Sequence, residues 1–387
     1  MSFARLVWRL VRGQRGQNLI MLAVLIPAFF ALIAGIVDVG LLLGERTAAQ
    51  KDVDAAALAG AQQLPEDPGG AVADAIEWAD RNGVQQDEMP HAPFTDSTCY
   101  SDMPGDDPAL IDSITVDAEA AAGMWMGRFF DVFSVNVGAH AKACVGSPQS
   151  ISEGLRPFEV VIKDSPCFED TDGDGERDSP LFGSICPLDY GAGDSTHGQF
   201  GLVNLGDEAD DPCSWQGAVG KDISEKIIYG TPALCRKDDP VYTAPGNKVG
   251  PDTFKGIRDL LALEPVCDGA DENKIDDFEE IFGQPPSDQP LDIICQGSPR
   301  FIYVIVVEEM QESHPNPEPL EYFGGFYILG CTIDGAPPDS HDERMCDPGG
   351  PWGQRTFWGM FVRTKAPPNS SGGPLDPGGL RVISLVE

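Results

Sequence analysis

An acidic segment in the middle of the chain has the residue types and the spacing of a calcium-binding loop. Aspartates occupy positions 1, 3, 5 and 9 of this loop, and Gly175 occupies position 6, where the EF-hand loop needs a sharp turn. Four side chains and one backbone carbonyl would supply the oxygen ligands of a calcium ion: Asp170, Asp172, Asp174, Glu176 (carbonyl) and Asp178. Position 12, which normally holds a bidentate glutamate, is Leu181. The segment therefore predicts a truncated structural calcium site, with a solvated acidic turn as the alternative.

Other candidate chemistry is weaker. The acidic residues between Asp268 and Glu280 lack ligand spacing, and we interpret them as a solvated helix face. Ser195 follows Gly193 and Asp194 as in one class of hydrolases, but no apolar strand precedes it, so a polar loop explains Ser195 and His197 better. The chain has no HExxH, GxSxG, Walker or dinucleotide-binding pattern. We therefore predict that the protein is not an enzyme, and an ectoenzyme stays as the least favoured alternative.

The ten cysteines indicate an oxidising compartment. They are spread from Cys99 to Cys346, and no CxxC pair occurs among them. An even number of dispersed cysteines favours disulfides over a zinc site. Ten cysteines allow on the order of 900 pairings, so the connectivity stays open. Pairing of neighbours along the chain is the simplest hypothesis: Cys99–Cys144, Cys167–Cys186, Cys213–Cys235, Cys267–Cys295 and Cys331–Cys346.

Charge is strongly separated along the chain. Residues 1–18 carry four arginines and no acid, whereas the whole chain has a formal net charge of −36, so the remainder carries −40. Such an acidic body repels nucleic acid and anionic lipid, which excludes nucleic-acid binding. A basic segment directly before an apolar run is held in the cytoplasm by the positive-inside rule.

The apolar run predicts a membrane anchor. Residues 19–37 contain no charged side chain, Asp38 interrupts the run, and residues 39–43 extend it. This length matches the ~20 residues that a membrane-spanning helix needs and exceeds the ~7–15 residues of a secretory signal core. We predict a single transmembrane helix at residues 19–43, with the N-terminus cytoplasmic and the body outside the cytoplasm.

The helical pattern continues beyond the anchor, because residues 44–63 are rich in alanine. One face of this juxtamembrane helix carries only small residues at helical spacing: Val53, Ala56, Ala57 and Gly60. Such a face permits close approach of another helix. Two interpretations stay open at this stage: the face packs on the chain's own domain, or it receives a helix from a partner.

The rest of the sequence predicts an α+β fold, in which a long N-terminal transmembrane helix precedes a β-rich, disulfide-containing extracytoplasmic region. Helices are expected at 71–81, 124–133, 222–228 and 252–263. Strands are expected at 111–118, 134–145, 158–162, 301–308, 323–332, 356–363 and 380–386. The predicted organisation is a cytoplasmic leader (1–18), a transmembrane helix (19–43), a juxtamembrane helix (44–63), a small α+β unit (64–147), a β-rich ectodomain (148–365), a Pro/Gly linker (366–379) and a terminal strand (380–387).

The N-terminal region resembles that of TadE/TadG-like proteins, which are membrane-anchored accessory proteins of the Flp (tight adherence) pilus system. The resemblance covers about residues 13–63. It rests on four strings in the order and spacing of the family: Arg15-Gly16-Gln17, Gly35-Ile36-Val37-Asp38-Val39-Gly40, Ala48-Ala49-Gln50 and Asp54-Ala55-Ala56-Ala57-Leu58-Ala59-Gly60-Ala61.

This resemblance implies a structural or assembly component of a Tad/Flp-type pilus or a related surface apparatus, with other pilus-assembly or envelope proteins as partners. The alternative is a calcium-stabilised module for cell-surface binding or adhesion that shares only the anchor.

Overall fold

The structure is a computed structural model of the chain. It describes residues 15–105, 107–163, 165–171, 173–189, 200–208, 211–215, 223–243, 251–263, 266–267, 276–309, 317–332 and 356–386. The chain divides into two compact units. The first contains the chain up to Asp96, Ser113–Ala143 and the residues from Leu385 onward, and the second contains Ser97–Asp112 and Cys144–Ser384.

One long helix, α1 (Arg15–Ala61), dominates the first unit. It is a single element through the segments predicted as separate transmembrane and juxtamembrane helices, because the alanine-rich stretch after Gly44 continues the helix without a break. Pro27 is accommodated inside it. The part Met21–Ala61 is long and apolar enough to cross a membrane. The predicted order of a long apolar helix followed by a β-rich α+β region is confirmed.

The C-terminal half of α1 packs against helix α2 (Pro68–Arg81) and strand β2 (Ser113–Gly123). The side chain of Asp67 caps α2 by accepting a hydrogen bond from the Gly70 amide at 2.8 Å. The small face of α1 is fully buried here, and Gly60 is the tightest point. A Cβ atom at Gly60 would stand 2.6 Å from the Ala71 carbonyl oxygen and 2.7 Å from Ile114 Cδ1. The interpretation in which this face packs on the chain's own domain is therefore confirmed.

Two longer strands and one short strand complete this unit. β2 lies between β1 (Phe94–Asp96) and β3 (Ser134–Ile151), of which the residues up to Ala143 belong here. The connection from β2 to β3 was predicted as a helix at 124–133, and this prediction is wrong. This segment forms one 3-10 turn (Gly127–Phe130), which ends where Asp131 adopts a left-handed conformation at φ 59°. The Met124 amide donates a hydrogen bond to the Phe133 carbonyl at 2.9 Å, and this bond closes a hairpin.

A six-stranded sheet forms the centre of the second unit, in the order β7-β14-β13-β11-β4-β8. The β4–β11 pair is parallel, and the other pairs are antiparallel. β14 is buried along its whole length, as expected for a strand that is covered on both faces. The strands are β4 (Leu155–Val161), β7 (Cys186–Asp189), β8 (Phe200–Leu202), β11 (Phe301–Val307), β13 (Tyr322–Thr332) and β14 (Thr356–Val362).

The remaining elements lie outside this sheet. The helices are α3 (Ile223–Tyr229), α4 (Pro251–Leu261) and α5 (Phe278–Phe282). The other strands are β5 (Phe168–Glu169), β6 (Ser179–Pro180), β9 (Cys235–Arg236), β10 (Pro240–Val241), β12 (Glu318–Pro319), β15 (Thr364–Lys365), β16 (Ser371–Gly373) and β17 (Leu380–Val386). The predicted linker 366–379 contains β16, which pairs with the end of β3 at Ser147 and Ser150, so this segment is ordered by strand pairing.

Four disulfides join cysteines within the second unit. The paired Cα atoms lie 5.8, 5.3, 4.5 and 5.6 Å apart, within the usual range for a disulfide. These bonds are four of the five predicted nearest-neighbour pairs: Cys99–Cys144, Cys167–Cys186, Cys213–Cys235 and Cys267–Cys295. The fifth predicted pair includes Cys346, which lies outside the described residues.

The tight packing at Gly60 leads to a test with a matched control on the same helix. We expect Gly60→Ala to lower the free energy of unfolding by ~1–3 kcal/mol, because the added methyl group overpacks the interface with α2. A Cβ atom at Gly44 would meet no other atom within 4 Å. Gly44→Ala should therefore raise the free energy of unfolding by ~0.5–1 kcal/mol through helix propensity alone. Denaturation of the full chain in detergent, followed by circular dichroism, measures both shifts. Equal shifts of the same sign would contradict the packing described for Gly60.

Candidate functional site

The acidic segment forms the loop of a small hairpin in the second unit, between β5 and β6. The Asp170 carboxylate accepts hydrogen bonds from the amides of Gly173 at 2.6 Å and Gly175 at 2.9 Å. Gly175 has a φ of 95°, which confirms the predicted need for glycine at this turn. The Asp178 carboxylate accepts a hydrogen bond from the Thr171 hydroxyl at 2.8 Å. The described carboxylates thus order the backbone of their own loop.

The structure describes all of the predicted calcium ligands except one. Asp170, Asp174 and Glu176 are exposed, Asp178 is half-buried, and Asp172 lies outside the described residues. Among the residues that the structure describes, no group of three or more His, Cys, Asp or Glu side chains is arranged to hold a metal ion. Calcium binding by this loop stays a prediction.

Part of the second acidic segment is structural and does not form a solvated face. Asp276 is buried, and its carboxylate accepts a hydrogen bond from the Cys267 amide at 2.8 Å. Asp277 caps helix α5, and its amide donates to the Glu280 carboxylate at 3.1 Å. The interpretation as a solvated helix face is therefore wrong for Asp276, whereas Glu279 on α5 is exposed, as that interpretation expects. Asp268, Asp271, Ser195 and His197 lie outside the described residues.

A buried acid in the central sheet gave no signal in the sequence. Glu159 lies on β4, opposite Ile305 of β11 and Gly201 of β8, and it is fully buried. Burial raises the pKa of Glu159 to about 8, and the negative charge of Glu318 adds to this shift. Burial thus favours the uncharged carboxylic acid form of Glu159.

The most specific polar site lies in the first unit, at Asp38 of α1. Although α1 displays apolar side chains to the outside on both sides of this position, Asp38 is only 4% exposed. Its Oδ1 atom accepts from the amides of Trp125 at 2.7 Å and Met126 at 3.1 Å. Its Oδ2 atom accepts from the amides of Met126 at 2.9 Å and Gly127 at 3.0 Å. Three consecutive backbone N–H groups thus surround one carboxylate, in the manner of an anion-binding nest.

The local backbone of the β2–β3 hairpin makes this nest possible. The Val132 amide donates to the Gly127 carbonyl at 2.9 Å, which folds the end of the hairpin back on itself. A Cβ atom at Gly127 would stand 2.7 Å from both Met124 Cβ and the Val132 carbonyl oxygen. Position 127 therefore has room only for glycine, and this glycine lets the turn close around the carboxylate of Asp38.

A second polar contact fixes the hairpin farther along α1. The side-chain Nε2 atom of Gln50 donates hydrogen bonds to the Asp54 carboxylate at 2.7 Å and to the backbone carbonyl of His140 in β3 at 2.6 Å. Asp38 and Gln50 are twelve steps apart along the helix, a rise of about 18 Å, and residues 134 and 140 are six steps apart along β3, a span of about 20 Å. These similar lengths agree with the two contacts, which hold the hairpin to α1 at Gln50 and at Asp38.

The Asp38 junction leads to a test by limited proteolysis. Because Asp38→Ala removes a charged acceptor that is worth at least ~1.5 kcal/mol, the end of the hairpin should open more often. Chymotrypsin should then cleave at Phe129 and Phe130 at least about tenfold faster than in the wild-type chain, as measured by mass spectrometry in detergent. Glu45→Ala, which changes an exposed acid of the same helix, should leave cleavage at the wild-type rate. Equal rates for Asp38→Ala and the wild type would contradict the hydrogen bonds described here.

The comparisons with known proteins agree with this geometry. Residues 16–63 match the Tad family, which is described as putative Flp pilus-assembly TadE/G-like. No curated protein and no solved structure matches the chain. The matched segment is α1 and the residues just after it, and it contains Asp38 and Gln50, which contact the hairpin, and Gly60, which packs against α2. The resemblance read from the sequence is thus confirmed: residues 16–63 are similar to the TadE/G-like family model.

Proposed function

We propose that this protein is a membrane-anchored, non-catalytic structural or assembly component of a Flp-type pilus or a related surface apparatus. The observation that carries the proposal is the TadE/G-like match on α1. This helix is apolar enough to cross a membrane, and it continues directly into a folded unit. A rigid helical connection of this kind suits a protein that holds a body at a fixed place on the membrane.

Charge and disulfides support an orientation with the body outside the cytoplasm. Four arginines precede the apolar stretch, and the positive-inside rule keeps such a segment cytoplasmic. The four disulfides in the second unit require an oxidising compartment. Other pilus-assembly or envelope proteins are the partners that this placement favours, and the net charge of −36 argues against nucleic acid.

The test of this function is genetic. Deletion of the chain in its host should abolish or strongly reduce surface pili, as counted by electron microscopy, and expression of the wild-type chain should restore them. A Ser195→Ala, His197→Ala double variant should restore them equally, because the proposed role needs no catalysis. Normal piliation in the deletion strain would overturn the proposal, and failure of the double variant alone would favour the ectoenzyme.

The second candidate function is a calcium-stabilised surface-binding or adhesion module. One observation favours it: the Asp170 carboxylate already orders the predicted calcium loop through Gly173 and Gly175. The site lacks the acid at position 12, so we expect the weak affinity of extracellular calcium modules, with a Kd of ~10⁻⁴–10⁻³ M. Binding of this strength would serve stability, because an ion that binds only the folded state stabilises it by mass action.

Thermal unfolding of the full chain in detergent tests the calcium site. Calcium at ~10 mM, which is ~10–100 times the expected Kd, should stabilise the second unit by ~1.4–2.7 kcal/mol and raise its Tm. Asp172→Ala should remove most of that rise, whereas Asp288→Ala, which changes an acid outside the loop, should retain it. An equal rise in the wild type and in Asp172→Ala would place the ion elsewhere. No rise in the wild type would leave the loop as an acidic turn.

A further inference from the structure

The tip of the β2–β3 hairpin exposes an unusual group of aromatic rings. The hairpin tip is defined here as residues 125–133. Four of its side chains are large, aromatic and mostly exposed: Trp125 (62%), Phe129 (79%), Phe130 (77%) and Phe133 (62%). Apolar groups of this kind rarely stay in contact with water without a function.

The contact with Asp38 fixes where this tip lies along α1. Asp38 directly follows the uncharged run of residues 19–37. Nineteen helical residues rise about 28 Å, close to the ~30 Å thickness of the hydrocarbon core of a bilayer. Residues 19–37 alone can fill that core, which puts Asp38 at its boundary on the side of the folded body and residues 39–43 of the predicted span in the interfacial layer. The tip, which is hydrogen-bonded to Asp38, then lies at the same boundary.

The composition of the tip suits the interfacial layer of a membrane. Tryptophan is enriched at this depth because its ring is apolar and its N–H group can still find a polar partner. Arg128 is exposed beside the rings, and its long side chain can reach lipid phosphate. Asp131 is also exposed and balances the charge of Arg128, so apolar contact, not net charge, must provide the attraction.

We propose that the hairpin tip inserts its aromatic side chains into the interfacial layer of the same bilayer that α1 crosses. The occupant of this apolar surface is lipid, because the tip is continuous with the exposed apolar side chains of Val37, Val39 and Leu41 on α1. The insertion gives the chain a second membrane contact beside its helix, which fixes the rotation and height of the first unit on the membrane. The inference rests on the membrane anchoring by α1 proposed above.

Fluorescence quenching by brominated lipids tests the insertion. The full chain is reconstituted into phosphatidylcholine vesicles whose lipids carry bromine either near the headgroup end or near the terminus of the acyl chain. The chain has six tryptophans, so the emission of one is taken as the difference between the wild type and the corresponding Trp→Phe variant. Trp78 of α2, which is 43% exposed in the same unit, serves as the matched control.

Bromine near the headgroup end should weaken the Trp125 emission at least about twofold and more than bromine at the chain terminus does, because interfacial groups lie ~5–10 Å deep. The Trp78 emission should stay unchanged in both lipids. Trp125 emission that is insensitive to both lipids, in vesicles that float with the protein bound, would overturn the insertion and leave the anchor intact. Protein that does not float with the vesicles would overturn the anchor and the insertion together.

Discussion

The structure of the first unit depends on one interaction, the contact between the Asp38 carboxylate and three consecutive amides of the hairpin tip. A carboxylate beside an apolar stretch is costly unless hydrogen bonds replace its water, and Trp125, Met126 and Gly127 provide four such bonds. The same bonds satisfy amides at a turn that has no regular partner strand. Loss of the carboxylate would leave the three amides without their acceptor, and loss of the turn would leave the buried carboxylate without donors. The junction therefore joins the helix and the hairpin into one body.

Small residues make the remaining contacts of α1 possible. Gly60 and the alanines beside it let α2 approach the helix so closely that a Cβ atom at position 60 would overlap its backbone. Gln50 links the helix to β3 between this contact and the Asp38 junction. These contacts all lie within residues 16–63, the segment that matches the Tad family model.

Local patterns in the sequence predicted the helices of the first unit, the main strands and four disulfides, because periodicity and neighbour pairing are properties of short segments. They did not predict the partner of Asp38, since backbone amides leave no residue signature and the contact spans 87–89 positions. The apolar segment 124–133 was assigned to a helix for a related reason. Its apolar composition does not determine its backbone, which Gly127 and Asp131 set. The burial of Glu159 could not be predicted from local sequence either, because it comes from strands that are distant in sequence.

The most direct test of this account is residue-resolved hydrogen exchange at the hairpin tip, measured by NMR on the full chain in lipid nanodiscs. Because the amides of Trp125, Met126 and Gly127 are hydrogen-bonded to Asp38, they should exchange slowly in the wild type. In Asp38→Ala they should exchange about tenfold to a hundredfold faster, which corresponds to the ~1.5–3 kcal/mol of a hydrogen bond to a charged group. The amides of the buried α1 face around Ala56 should keep their protection. Rapid exchange of the three amides in the wild type, or exchange that does not depend on Asp38, would contradict the claim that the Asp38 carboxylate holds the hairpin tip on α1.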